Sequence, residues 1–194
     1  SPPSLSMIEA DARTVDIETL VPAGTPYKLV ANLPYYAANP IVRRFLEAGH
    51  KPTVMVLTLQ QEVAQGMAAA PGKMTMLSVA VQLFAQPKLI CTVPPDSFRP
   101  PPKVNSAVIR LDVRPALAAD IDDPDDFFTT VRAGFSSPRK QLRNSLSHGL
   151  GVDGYFTDRL LGEASLDGTR RPSTLTLEEW AALHRVRRET EEML

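Results

Sequence analysis

The sequence predicts an α/β fold that gives way to a small all-helical region. Two observations lead there. Between residues 7 and 113, short runs of apolar and β-branched residues alternate with segments whose apolar residues recur at helical spacing. Beyond Arg114-Pro115 the strand-like runs stop and only helical patterns remain. Alternation of this kind implies a largely parallel sheet covered by helices. The predicted division is residues 1–115 and residues 116–194.

Each element has its own justification. Ser1 to Ser6 is a polar, proline-bearing lead-in. Met7 to Ala12 reads as a short strand ending in Asp11-Ala12, and Val15 to Leu20 as a helical turn. Tyr27 to Ala31 is an apolar run expected to form the next strand. Pro40 to Ala48 places Ile41, Val42, Phe45 and Leu46 on one helix face. Thr53 to Gln60 is nearly continuous in apolar and β-branched residues, the pattern of a strand buried on both faces. Gln61 to Ala69 is helical in pattern, Pro71-Gly72-Lys73 a loop, and Met76 to Phe84 helical again. Lys88 to Val93 and Val104 to Val113 are the last strands.

In the second region, Asp123-Pro124 with Asp125 and Asp126 has the composition of a capped helix start. The helix would run from Phe127 to Phe135. Arg139 to Leu146, Tyr155 to Leu161 and Thr176 to Arg187 supply three more. Thr176 and Glu179 stand at capping-box spacing. The one Gly-x-Gly, Gly149-Leu150-Gly151, follows no strand and reads as a loop.

Composition excludes several classes. A chain of 194 residues with 43% hydrophobic and 22% charged residues is ordinary for a globular protein. No apolar run is long enough for a membrane span. The single cysteine, Cys91, excludes an internal disulfide and suits a reducing cytoplasm. His50, His148 and His184 are dispersed without metal-ligand spacing, so structural or surface roles are expected and no metal. Net charge is −1 and pI near 6.3, unlike a dedicated nucleic-acid binder. That sum conceals a basic stretch, Phe127 to His148, which carries Arg132, Arg139, Lys140 and Arg143 and no acid. An acidic knot of Asp120, Asp122, Asp123, Asp125 and Asp126 precedes it.

Asn32-Leu33-Pro34-Tyr35-Tyr36 lies where a strand hands over to a helix. In open α/β sheets, ligands bind outside the carboxyl ends of the strands. Asn32 offers an acceptor and a donor in one plane. Pro34 withholds its N–H and restrains the Leu33 carbonyl, which can also accept. Tyr35 supplies a flat face. Two acceptors beside an aromatic plate make a site for an amino group on a planar base.

Asn32-Leu33-Pro34-Tyr35 resembles the signature of adenine-N6 methyltransferases that use S-adenosylmethionine. More specifically, the chain resembles the ribosomal RNA adenine dimethyltransferases, which modify two adjacent adenines near the 3′ end of small-subunit rRNA. Two further segments carry the likeness. Pro94 to Val108 resembles the family's proline-rich segment leading into the last strand, whose aromatic, here Phe98, stacks on the target base. Phe135 to Leu146 resembles the family's basic helical segment, with Pro138 where its first arginine is usual. Arg171 to Trp180 resembles the closing segment and implies packing only.

The resemblance implies a Rossmann-like methyltransferase sheet and S-adenosylmethionine as cofactor. Asp11 and Ala12, at the end of the family's third strand, would meet the cofactor's adenine, with Asn32 nearby. Asn32, Leu33, Pro34, Tyr35 and Phe98 would hold the target base, and Lys103, Arg139, Lys140 and Arg143 the RNA backbone. The bland alternatives are an Asx turn at Asp11 and a solvated helix face at Lys140 and Arg143. The implied partner is small-subunit rRNA in the immature 30S particle, with the enzyme cytoplasmic and monomeric when complete. No strand, glycine-rich turn and helix precede Asp11, so the likeness spans only the later two-thirds of the family and a fragment is expected. The nearest rival is the large-subunit class that confers macrolide resistance. Leu33 and the long helical tail argue for the small-subunit class. A DNA adenine methyltransferase, which would carry a separate target-recognition region, and a non-catalytic ribosome-assembly protein are the remaining alternatives.

Overall fold

The computed structural model describes residues 5–193. The predicted lead-in therefore lies mostly outside the described residues. Four strands form one sheet in the order β1-β2-β4-β3. They are β1 (Lys28–Asn32), β2 (Val54–Gln60), β3 (Ala85–Val93) and β4 (Ser106–Val113). β1 pairs with β2 in parallel, whereas β4 is antiparallel to both β2 and β3. β1, β2 and β3 thus point the same way, and β4 is inserted against them. The expected largely parallel sheet is corrected to one parallel pair and two antiparallel ones. The reason is connectivity. No α-helix lies between β3 and β4, only the Pro94–Asn105 loop with its single 3-10 turn (Pro95–Ser97), so the chain turns back beside β3.

Five helices flank or follow the strands as their apolar spacing requires. α1 (Ile17–Leu20) is a single turn capped by Asp16. α2 (Ala38–Glu47) buries Ala38, Ile41, Val42, Phe45 and Leu46. α3 (Gln61–Met67) follows β2 directly. α4 (Met76–Phe84) opens on a reciprocal Thr75–Ser78 cap and spans the predicted residues. α5 (Pro124–Gly134) starts at Asp123, whose carboxylate accepts from the Asp125 and Asp126 amides. Three more complete the chain: α6 (Leu142–Leu150), α7 (Gly154–Glu163) and α8 (Leu177–Glu192). Gly149 and Leu150, expected in a loop, are instead the last residues of α6, and Gly151, at φ 69°, ends the helix in the left-handed conformation, which favours glycine. The capping box of Thr176 and Glu179 forms as the spacing predicts.

Three expectations are corrected. Met7–Ala12 is not a strand. Among the described residues it has no neighbouring strand, and a lone extended segment leaves its backbone groups unpaired. β2 is not buried on both faces: Met55, Leu57 and Leu59 are fully buried, while Val54, Val56, Thr58 and Gln60 are half-covered. α6 begins at Leu142 rather than Arg139, because a turn closed by the Lys140 amide on the Ser137 carbonyl (2.9 Å) precedes it.

No strand occurs beyond Val113 among the described residues, yet one apolar cluster runs through both regions. The Arg114 and Ala118 amides donate to the Phe84 and Leu83 carbonyls at the end of α4 (2.8 and 2.9 Å). α5 and α8 are clamped by Arg187, which is buried. Its Nε donates to Thr130 (2.9 Å), and its other nitrogens meet Asp126 and Glu191. No helix among the described residues is long and apolar enough to cross a membrane.

The approach of α5 to α6 depends on Gly149, where a Cβ would lie 2.4 Å from the Ala133 backbone. Gly149→Ala is expected to destabilise the protein by about 1–3 kcal/mol, the scale of overpacking. Gly162, in α7, has open space around it. Gly162→Ala should stabilise by up to about 1 kcal/mol, since glycine is the poorer helix former. Urea unfolding of the two variants beside the parent checks the pair, and an unchanged midpoint for Gly149→Ala would refute the close helix contact.

Candidate active site

Strand direction gathers the site. Asn32, Gln60 and Val93 are the last residues of β1, β2 and β3, and Ser106 is the first of β4. Ser106 pairs with Gln60 on one side and Val93 on the other, while Asn32 pairs with Thr58. All four therefore lie along one carboxyl edge.

At that edge the chain leaves β1 in a tightly held turn. Leu33 is buried, and its amide donates to the Thr58 carbonyl (3.0 Å). Pro34 opens a single 3-10 turn, Tyr35–Ala37, closed by the Ala37 amide on the Pro34 carbonyl (2.9 Å). Tyr35 is half-buried, and its hydroxyl hydrogen-bonds Ser106 Oγ (2.8 Å). This contact joins the turn after β1 to the start of β4, across the end of β2. Asn32 is exposed. Among the described residues, neither its carboxamide nor the Leu33 carbonyl takes a hydrogen bond. Two acceptors thus stand unsatisfied beside an anchored ring.

Phe98 sits on the loop that returns from β3 to β4, at the same edge. Its amide donates to the Pro95 carbonyl (3.1 Å), and its ring is half-buried. The loop is fixed at its far end by the Gln61 amide on the Asn105 carbonyl (3.0 Å). Phe98 and Tyr35 do not stack on one another among the described residues. Lys103, on the same loop, is exposed and forms no ion pair among the described residues.

Asp11 and Ala12 approach from another direction. Asp11 makes an Asx turn, accepting the Arg13 amide (2.8 Å), and its carboxylate also pairs with the Arg13 guanidinium (2.6 Å). The Arg13 side chain, then its amide, hold the Asp11 carboxyl well down, at about 2. Asp11 in turn raises the Arg13 pKa, with a smaller contribution from Tyr36. Ala12 is half-buried against the core.

The basic residues separate. Arg139 and Lys140 are exposed in the connection between α5 and α6. Arg143, half-exposed on α6, has its guanidinium paired with both Asp158 oxygens and near the Gly154 carbonyl (3.5 Å). Hydrogen bonding to Asp158 raises the Arg143 pKa and lowers that of Asp158. Sequence reasoning missed two participants. Ser106 was visible only as part of a motif, and Tyr36, 81% exposed, only as the second of two tyrosines.

The model of the family described as ribosomal RNA adenine dimethylase matches residues 2–183. The chain belongs to that family. Among its relatives, ribosomal RNA small subunit methyltransferase A of Dehalococcoides mccartyi is 40% identical over 93% of this chain and 62% of its own length. The protein of that name from Clostridioides difficile is 42% identical over 93% of this chain and 64% of its own. The chain thus spans a little under two-thirds of the curated relatives it matches. Solved structures of lower identity share the family fold. The 23S rRNA methyltransferase ErmE is 22% identical, with a TM-score of 0.67 over 92% of this chain and 70% of its own. A dimethyladenosine transferase from Plasmodium falciparum is 21% identical, with a TM-score of 0.69 over 84% of this chain and 68% of its own.

The Tyr35–Ser106 contact yields a test. Ser106 is fully buried, so Tyr35→Phe leaves its hydroxyl unsatisfied. That loss is expected to destabilise by about 1–3 kcal/mol. Adding Ser106→Ala should restore most of it. Chemical denaturation of the single and double variants decides, and additive losses would show that the two hydroxyls act independently.

Proposed function

We propose that the chain carries the base-binding side of an S-adenosylmethionine-dependent enzyme. That enzyme dimethylates N6 of two adjacent adenines in small-subunit (16S) rRNA, in the cytoplasm, as a monomer acting on the immature 30S subunit. The observation that carries the reading is the pair of unsatisfied acceptors, Asn32 and the Leu33 carbonyl, beside the anchored ring of Tyr35. Membership of the family supports it, and the relatives near 40% identity are small-subunit enzymes, whereas ErmE, a 23S enzyme, stands at 22%.

An adenine amino group is a weak nucleophile because its lone pair is delocalised into the ring. Asn32 Oδ1 and the Leu33 carbonyl would accept its two N–H bonds and turn the nitrogen toward a tetrahedral geometry. Holding the amine in that pose contributes orientation and electrostatic stabilisation. Tyr35 and Phe98 would bear on the faces of a base drawn out of its stack. The rigid loop around Phe98 limits the entropy lost on binding. The methylated amine releases its proton to water, so no strong base is required.

When bound, S-adenosylmethionine supplies the electrophilic methyl group. Asp11, Ala12 and Asn32 are the residues that would hold it. They fit in kind: Asp11 is an acceptor restrained only by Arg13 in an exposed ion pair, a weak restraint. No glycine-rich turn precedes Asp11, so the described residues suit only part of that group. Lys103, Arg139 and Lys140 are proposed for phosphate contact. Arg143 is proposed with them, since its pair with Asp158 is as exposed as that of Asp11 and as weak a restraint.

In a chain extended to the length of the relatives, Asn32→Ala should slow methylation about a hundredfold or more, the effect of removing one positioned polar group. RNA affinity should change little. Phe98→Ala should weaken target-base binding by about 1–3 kcal/mol of stacking. Single-turnover methyl incorporation and RNA titration read both, and a full rate for Asn32→Ala would remove it from the mechanism.

A further inference from the structure

Beside the Tyr35–Ser106 contact lies an open cleft of about 590 Å³. Its polar lining is Gln60, Gln61, Gln65 and Asn105 together with Lys103 and Glu62. Pro95 and Val104 add apolar surface. Among the described residues, none of the four carboxamides has a hydrogen-bond partner, and Lys103 has no ion pair. Four side chains that each donate and accept are thus gathered, uncommitted, round one space.

We infer that this cleft receives the nucleotide adjoining the target adenine. The inference rests on the proposed function and extends it to substrate recognition. Three features point to a nucleobase. Carboxamides match the alternating donors and acceptors of base edges, and adenine pairs with them through two hydrogen bonds. Pro95 and Val104 offer apolar contact to a ring face. The volume suits a ligand of nucleotide size, since such pockets run from about 300 to 1,000 Å³.

Position supplies the connection to the target. Asn105 immediately precedes Ser106, and Ser106 holds the Tyr35 hydroxyl. Gln60 stands opposite Ser106 in the ladder. A base lodged against Tyr35 would therefore lead its neighbour along the strand to this cleft. Lys103 is placed to meet a phosphate between them. Glu62 can only accept, so it suits an amino group or a 2′-hydroxyl and repels phosphate from its own side.

The test uses single-stranded RNA with one target adenine and an adenine beside it. Two further RNAs carry an abasic residue on the 5′ or the 3′ side of the target. The extended chain and its Gln61→Ala/Gln65→Ala variant are compared by RNA titration and by methyl incorporation. On α3 Gln65 is exposed and Gln61 half-buried, and neither belongs to the packed core. For the parent, one of the two abasic RNAs should bind about tenfold more weakly, within the range for losing one base contact. The variant should bind intact RNA about tenfold more weakly and lose less than about twofold further on that abasic RNA. A variant as sensitive to the abasic residue as the parent overturns the inference while leaving the enzymatic reading intact. A parent indifferent to both abasic residues overturns it too. No methyl incorporation into any of the three RNAs by the parent overturns the enzymatic reading, and this inference with it.

Discussion

Ser106 stands opposite Gln60 on one side and Val93 on the other, and that register governs the whole carboxyl edge. It brings the start of an antiparallel strand to the ends of the strands it runs against. The Phe98 loop and the turn after β1 therefore face the same space. Side chains alternate along a strand, so a slip of one residue would turn Ala107, Ile109 and Leu111 out of the core. It would also carry the Ser106 hydroxyl away from Tyr35. The burial that fixes the sheet thereby fixes the site, and no separate device is needed to align the two.

The two open edges of the sheet differ in a way that bears on this. β3 carries an extra residue, Ile90, between the pairs Leu89–Ile109 and Cys91–Val108. Such a bulge twists an edge and discourages further pairing. β1 has no bulge, and Val30 is 76% exposed on it. Its regular edge runs straight into Asn32. Both edge strands are largely exposed, so what separates them is the bulge in β3 and the regular course of β1.

Much of this was legible in the sequence, and the failures have physical causes. α4 matched its predicted span because Thr75 and Ser78 cap it and its apolar residues Val79, Val81, Leu83 and Phe84 are buried. Asn32, Tyr35 and Phe98 could be brought to one place because strand ends and loops of this order converge on one edge. Periodicity reports which face of a strand is buried and says nothing of its neighbours, so the insertion of β4 stayed hidden. Met7–Ala12 has the residues of a strand, but a strand exists only with a partner. Arg143 reads as a free cation until α6 packs on α7 and presents it to Asp158. The carboxamides near Gln61 look like an ordinary solvated helix face until the returning loop closes a cleft over them.

The net charge of −1 also misleads until the pairs are assigned. Acids are used up where they neutralise particular arginines: Asp11 on Arg13, Glu47 on Arg43, Asp112 on Arg110, Asp158 on Arg143, Glu163 on Arg159, Glu179 on Arg170. Asp126 and Glu191 are taken up by the buried Arg187. These pairs cancel locally and contribute little field at a distance. Arg99, Lys103, Arg139 and Lys140 have no ion-pair partner among the described residues. Two lie on the loop that carries Phe98, and two on the connection into α6. A polyanion responds to such uncompensated cations and not to the sum over the chain. Acids without an ion-pair partner among the described residues remain as well, exposed Asp96 on the Phe98 loop among them, so the field along that loop is set by Arg99 and Lys103 against one carboxylate and not by the sum over the chain.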